Sequence, residues 1–186
     1  MTQEKILHVE SSVSPGSYQP IVVQTYGDNT VTMSTETAKK RAIAILQAIA
    51  YADSEAVVFK TLTGLSSTKG FGKVPPKDLK VGTQLLQIIR DNRQKLPQGI
   101  SAIFGYNTRQ PLVVLEWDDV KIQISLDTAL HHATCLLEAA EAAQSDSFLY
   151  QFCINNFDCS FEQVAILIQE FALNRRRTQL EAIADK

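Results

Sequence analysis

Apolar and polar residues alternate along VTMS (Val31–Ser34) and VKIQIS (Val120–Ser125), the period of a half-buried β-strand. Each follows a β-rich run, IVVQTY (Ile21–Tyr26) or LVVLEW (Leu112–Trp117), across Gly27-Asp28-Asn29 or Asp118-Asp119. That spacing predicts two hairpins. KILHVESSV (residues 5–13) and ISAIFGY (residues 100–106) predict a leading strand for each, giving a three-stranded meander. The period then lengthens. Ala38, Ala42, Ile45 and Ile49, and likewise Ala129, Ala133, Leu136 and Ala140, fall on one side of a helix. Ser34 and Ser125 are the expected N-caps, with Glu36 and Asp127 where a helix dipole favours an anion. A second, short helix is expected after Ser54 and after Ser145. A third is expected over about 78–94 and 160–177, where Ser160 and Gln163 have capping-box spacing.

These two element series are written in nearly the same letters. At an offset of 91, Gln19-Pro20 meets Gln110-Pro111, Val22-Val23 meets Val113-Val114, and Thr37-Ala38 meets Thr128-Ala129. Over residues 19–59 there are 13 identities in 41 positions, against about 2 or 3 for unrelated chains. The offset then becomes 82, aligning Asn92-Arg93 with Asn174-Arg175, and the difference is an insertion at 65–73. The expectation is an α+β protein built by internal tandem duplication of a β-hairpin (or three-stranded meander) followed by three helices, in two pseudo-symmetric lobes. Its predicted parts are a first lobe at 1–94, a connector with a possible leading strand at 95–108, a second lobe at 109–177 and a tail at 178–186.

With 45% hydrophobic and 20% charged residues in 186, the chain can bury a core and fold. A net charge of −2 gives no global attraction to nucleic acid or anionic membrane. The N-terminus lacks the pattern of a signal peptide, and the longest apolar run noticed, AIAILQAIAYA, is too short to span a bilayer. Three cysteines without a C-x-x-C suit reduced thiols, so a cytoplasmic protein with no membrane partner is expected. The charge is unevenly shared, however. Residues 18–94 hold ten Lys/Arg and six Asp/Glu (+4), whereas residues 109–177 hold five and ten (−5).

Motifs with chemistry are sparse. His131 and Cys135 sit four apart on one helix face, but the aligned positions are Lys40 and Ala44, which argues for solvent and a small residue rather than a metal. The same comparison makes His132, opposite Arg41, a solvated position. Glu116-Trp117-Asp118-Asp119 aligns with Thr25-Tyr26-Gly27-Asp28, so a hairpin turn explains it better than a carboxylate site. Residues 67–77 contain Gly-Lys but not the spacing of a phosphate loop. Neither a nucleophile motif nor a cofactor motif is found, so no catalytic residue, metal or cofactor is assigned.

What remains points to contact with another protein. A basic loop at 65–77, with Lys69, Lys73, Lys77, nearby Lys80 and an apolar tip at Phe71, is absent from the second copy. Tyr26 and Trp117 are aligned aromatics at strand ends, and Arg176 and Arg177 extend a short basic run. The expected function is a non-catalytic binding or regulatory protein using that loop. Nucleic-acid binding by the basic first lobe is the alternative, followed by a small-ligand or enzymatic site between the lobes. Self-association is compatible with each.

Overall fold

The computed structural model describes residues 6–14, 16–62, 76–104 and 110–184. The α+β expectation holds: among the described residues there are two three-stranded antiparallel sheets and four helices. The first sheet joins β1 (Leu7–Val13), β2 (Pro20–Tyr26) and β3 (Asn29–Ser34) in sequence order, and α1 (Thr35–Leu62) and α2 (Pro76–Asn92) follow. The second joins β4 (Ile100–Phe104), β5 (Pro111–Trp117) and β6 (Val120–Ser125), with α3 (Leu126–Phe157) and α4 (Phe161–Ala184) after it. Both hairpins close over two residues, since Tyr26 pairs with Asn29 and Trp117 with Val120. Such turns need left-handed backbone, which Gly27 (φ 59°) and Asp118 (φ 46°) supply.

Helix starts follow the serines. Ser34 Oγ accepts from the Thr37 amide at 3.2 Å, and Ser125 Oγ from the Thr128 amide at 3.1 Å. Ser160 and Gln163 make the reciprocal capping box, at 2.8 and 3.3 Å. The expectation of three helices per half is corrected to two among the described residues. Ser54 and Ser145 do not cap. Their hydroxyls donate back to the carbonyls of Ala50 (2.7 Å) and Glu141 (3.0 Å), so α1 and α3 run on unbroken. A second correction concerns the C-terminus. No breaker interrupts residues 175–184, so α4 runs past its expected end at about 177 to Ala184, with Arg176 and Arg177 inside it.

Unbroken helices also alter the apolar picture. Thr35–Thr61 contains 18 residues of mean hydropathy 1.5, enough by length and composition to cross a bilayer, and longer than the apolar run noticed in the sequence. Of that window, 44% is buried within the protein. The buried positions Ala38, Ala42, Ile45, Ala48, Ala52 and Ala56 recur at helical spacing, which is the pattern of a core helix.

The chain forms two compact units, one of residues 1–39 with 136–186, the other of residues 40–135. In the first, Tyr150, Cys153 and Val164 make a core joined by Val13, Tyr18 and Ile168. In the second, Ala56, Phe59, Leu86 and Phe104 cluster, with the two rings 4.9 Å apart. Each unit thus takes its sheet from one half of the sequence and its closing helices from the other. Residues 35–39 of α1 fall in the first unit and residues 40–62 in the second.

Candidate binding surfaces

Helix α3 buries Leu136, Ala140, Ala143, Ser147 and Tyr150. Its opposite side, from Phe148 onward, should therefore be polar. It is not: Phe148 is 66% exposed and Phe157 65%, with Phe152 exposed between them. These rings touch one another. Phe148 and Phe152 stack at 5.8 Å, and Phe152 meets Phe157 edge-on at 5.5 Å. Ile166, Leu167, Phe171 and Leu173 are exposed on α4. Between residues 136 and 174 the sequence has no Lys or Arg, while Glu138, Glu141, Asp146, Asp158, Glu162 and Glu170 supply six acids. Asp146 is buried and the other five are exposed, so this stretch is aromatic and acidic at once.

The end of this helix pair is firmly built. Tyr18 has left-handed backbone (φ 55°), a strained state for an aromatic residue. Its ring stacks on Tyr150 (5.8 Å) and lies 5.9 Å from that of Phe161, and its carbonyl accepts from Ser147 Oγ at 2.6 Å. Burial, Asp146 and Tyr18 together raise the Tyr150 pKa, so its phenol stays neutral.

In the other unit the centre of interest is an acid. Glu55 lies among Ala52, Ala56 and Phe59 on the core side of α1 and is 0% exposed. Arg90 grips it with two bonds (Nε to Oε1 3.0 Å, Nη2 to Oε2 2.6 Å), and Arg93 Nη1 donates to Oε1 at 2.7 Å. Three charge-assisted bonds make burial of the carboxylate tolerable. No partner was assigned to Arg93 from the sequence. The signal was present, since Glu55 aligns with Asp146, also buried, and Arg93 with Arg175.

The residues expected to bind a partner belong to different elements. Lys69, Phe71 and Lys73 lie outside the described residues, as does the loop at 65–73. Lys77 is in the first turn of α2, and Lys80 is exposed on the same helix. Tyr26 and Trp117 are half-buried at their strand ends. Glu116 pairs with Lys121 across the hairpin, as a turn flank would. His131 Nε2 stands 3.6 Å from Cys135 Sγ, but among the described residues no three His, Cys, Asp or Glu side chains gather as a metal would need.

One expectation fails here. His132 is not solvated but buried, unlike exposed His131. Burial first, then the charges of Arg41 and His131, lower its pKa to about 4. Arg41 stacks over the Trp117 ring at 5.5 Å, and burial lowers its own pKa. A side chain with a long apolar stem fills an interior position as readily as a solvated one, so Arg at the aligned position did not signal exposure. No protein-family model, characterised protein or solved structure matched this chain in comparisons with known proteins.

Proposed function

We propose that the chain is a non-catalytic binding protein that works through protein–protein contact, with the aromatic side of α3 as its contact face. The observation that supports this is the exposed run Phe148, Phe152, Phe157, whose rings pack only against one another in the described contacts. Contiguous exposed aromatics are costly in water and typical of interfaces. The absence of Lys and Arg from residues 136–174 adds a charge requirement. The fitting partner is an amphipathic segment with basic residues flanking its apolar side.

The test is binding of a Lys/Leu amphipathic peptide and a Glu/Leu counterpart of equal hydrophobicity, followed by fluorescence anisotropy. The basic peptide should bind saturably. Joint replacement of Phe148, Phe152 and Phe157 by Ser should weaken it by about tenfold or more. Deleting residues 65–73 in parallel separates this face from the loop expected from the sequence. Equal binding of both peptides, or binding indifferent to the phenylalanine changes, would sink the reading. So would a dimer in sedimentation that the triple replacement dissolves, since the face would then serve a second copy. Salt-sensitive binding of an oligonucleotide that depends on Lys80 would move the function to the basic half.

A further inference from the structure

The unit of residues 40–135 holds a chemically different candidate. Where α2 gives way to β4, a cleft of about 290 Å³ is lined by Arg90, Arg93 and Lys95, together with Gln94 and Ser101. None of its described lining residues is acidic. Glu55, fully buried, binds both arginines. Asp91, next in sequence to Arg90, is itself held by Gln87 Nε2 at 2.9 Å. Three cations against the one carboxylate leave a formal +2.

A structural role alone does not account for that excess. One guanidinium would neutralise Glu55, and the carbonyl end of α2 contributes only about half a negative charge. The Glu55 pairing does, however, fix both guanidinium planes before any ligand arrives. Arg93 spends only Nη1 in its bond to Glu55, and its guanidinium is further held 4.8 Å from the Tyr51 ring. A guanidinium has five N–H donors, so one such bond leaves capacity for an anion. Gln94 and Ser101 add neutral donors, and Leu96 and Ile100 form an apolar wall beside them.

We propose that this cleft binds a small phosphate-type dianion, whose two charges match the +2 of the site. The dianion is either free phosphate or the phosphoryl group of a small organic monoester, with Leu96 and Ile100 against the organic part. This goes beyond the protein-contact reading and does not depend on it.

The experiment is an amide NMR titration of the full chain with inorganic phosphate and with phenyl phosphate. Sodium chloride at matched ionic strength is the reference. Both anions should give saturable shifts confined to the amides of residues 90–101, with a Kd of about 1 mM or below. Lys95→Ala should weaken binding about two- to fivefold, and Lys95→Glu should abolish it. Both variants leave the Glu55 cluster intact and should fold. Tighter binding of phenyl phosphate assigns the monoester; equal or weaker binding assigns free phosphate. Shifts reproduced by chloride, shifts that do not saturate, or an affinity unchanged in Lys95→Glu overturn the proposal.

Discussion

Replacing Gln24 by leucine should stabilise this protein. Gln24 lies in β2 and is 0% exposed, and among the described residues neither its amide nitrogen nor its oxygen has a hydrogen-bond partner. Its aligned counterpart in β5, Leu115, is equally buried and wholly apolar. An unpaired buried amide costs about 1–3 kcal/mol by mutational measure. Branching at Cγ in a core shaped for glutamine should cost up to about 1 kcal/mol. The net expectation is about 1–2 kcal/mol of added stability. In a chain of this size that is a rise in Tm of about 2–8 °C. The assay is equilibrium urea unfolding followed by circular dichroism, with Gln24→Met as an unbranched control and Gln24→Ala as the cavity control. Both apolar long-chain variants should gain, and alanine should lose. If Gln24→Leu and Gln24→Met are both neutral or destabilising, the amide is satisfied in solution and the argument from its missing partners is wrong.

Glu55→Ala should cost about 1–3 kcal/mol, because three charge-assisted bonds are lost and two partly exposed guanidinium groups are left without their carboxylate. A double-mutant cycle with Arg93→Ala should show strong coupling, and additive losses would contradict the cluster. Ser34→Ala and Ser125→Ala should each cost about 1 kcal/mol as lost N-caps. Ser54→Ala and Ser145→Ala should change urea stability by less than about 0.5 kcal/mol, since those hydroxyls only bond back along an existing helix. His132, with a folded pKa of about 4 against 6.5, stays neutral in the fold while the unfolded chain takes up a proton. Its contribution is therefore complete above pH 6.5, falls as the pH drops, and is spent near pH 4, a loss of about 3 kcal/mol. Urea titrations across that window should lose this slope in His132→Phe.

Local rules were legible and long-range ones were not, and the serines show where the boundary runs. At Ser34 and Ser125 a period-two segment ends and a period-3.6 segment begins, so cap and boundary point to one conformation. At Ser54 and Ser145 the helical period continues on both sides. A serine alone cannot break a helix whose apolar face is still being buried, and bonding to the carbonyl four residues back removes its reason to cap. The decision belonged to packing beyond the local window. The same holds for Glu55, which falls at the start of the short helix expected after Ser54. Once α1 is continuous, the alanine stripe rotates Glu55 into the core, where only a fixed cation makes it tenable, and Arg90 and Arg93 arrive from 35 and 38 residues away.

The alignment of the two halves bears on Glu55 as well as on His132. Comparison of Lys40-Arg41 with His131-His132 asked what both copies tolerate and concluded solvent, wrongly for His132. Comparison of Glu55 with Asp146 asks what both copies retain against their surroundings. An acid kept within a row of alanines, twice, together with Asn-Arg kept 37 residues on in the first copy and 28 in the second, points to a buried ion pair even without coordinates. The phenylalanine face marks the opposite limit. Phe148 and Phe152 align with Val57 and the nonidentical Thr61, so the repeat is silent there, and helical spacing alone cannot tell a core stripe from a contact stripe. That distinction required knowing which side of α3 the buried Ser147 and Tyr150 already occupied.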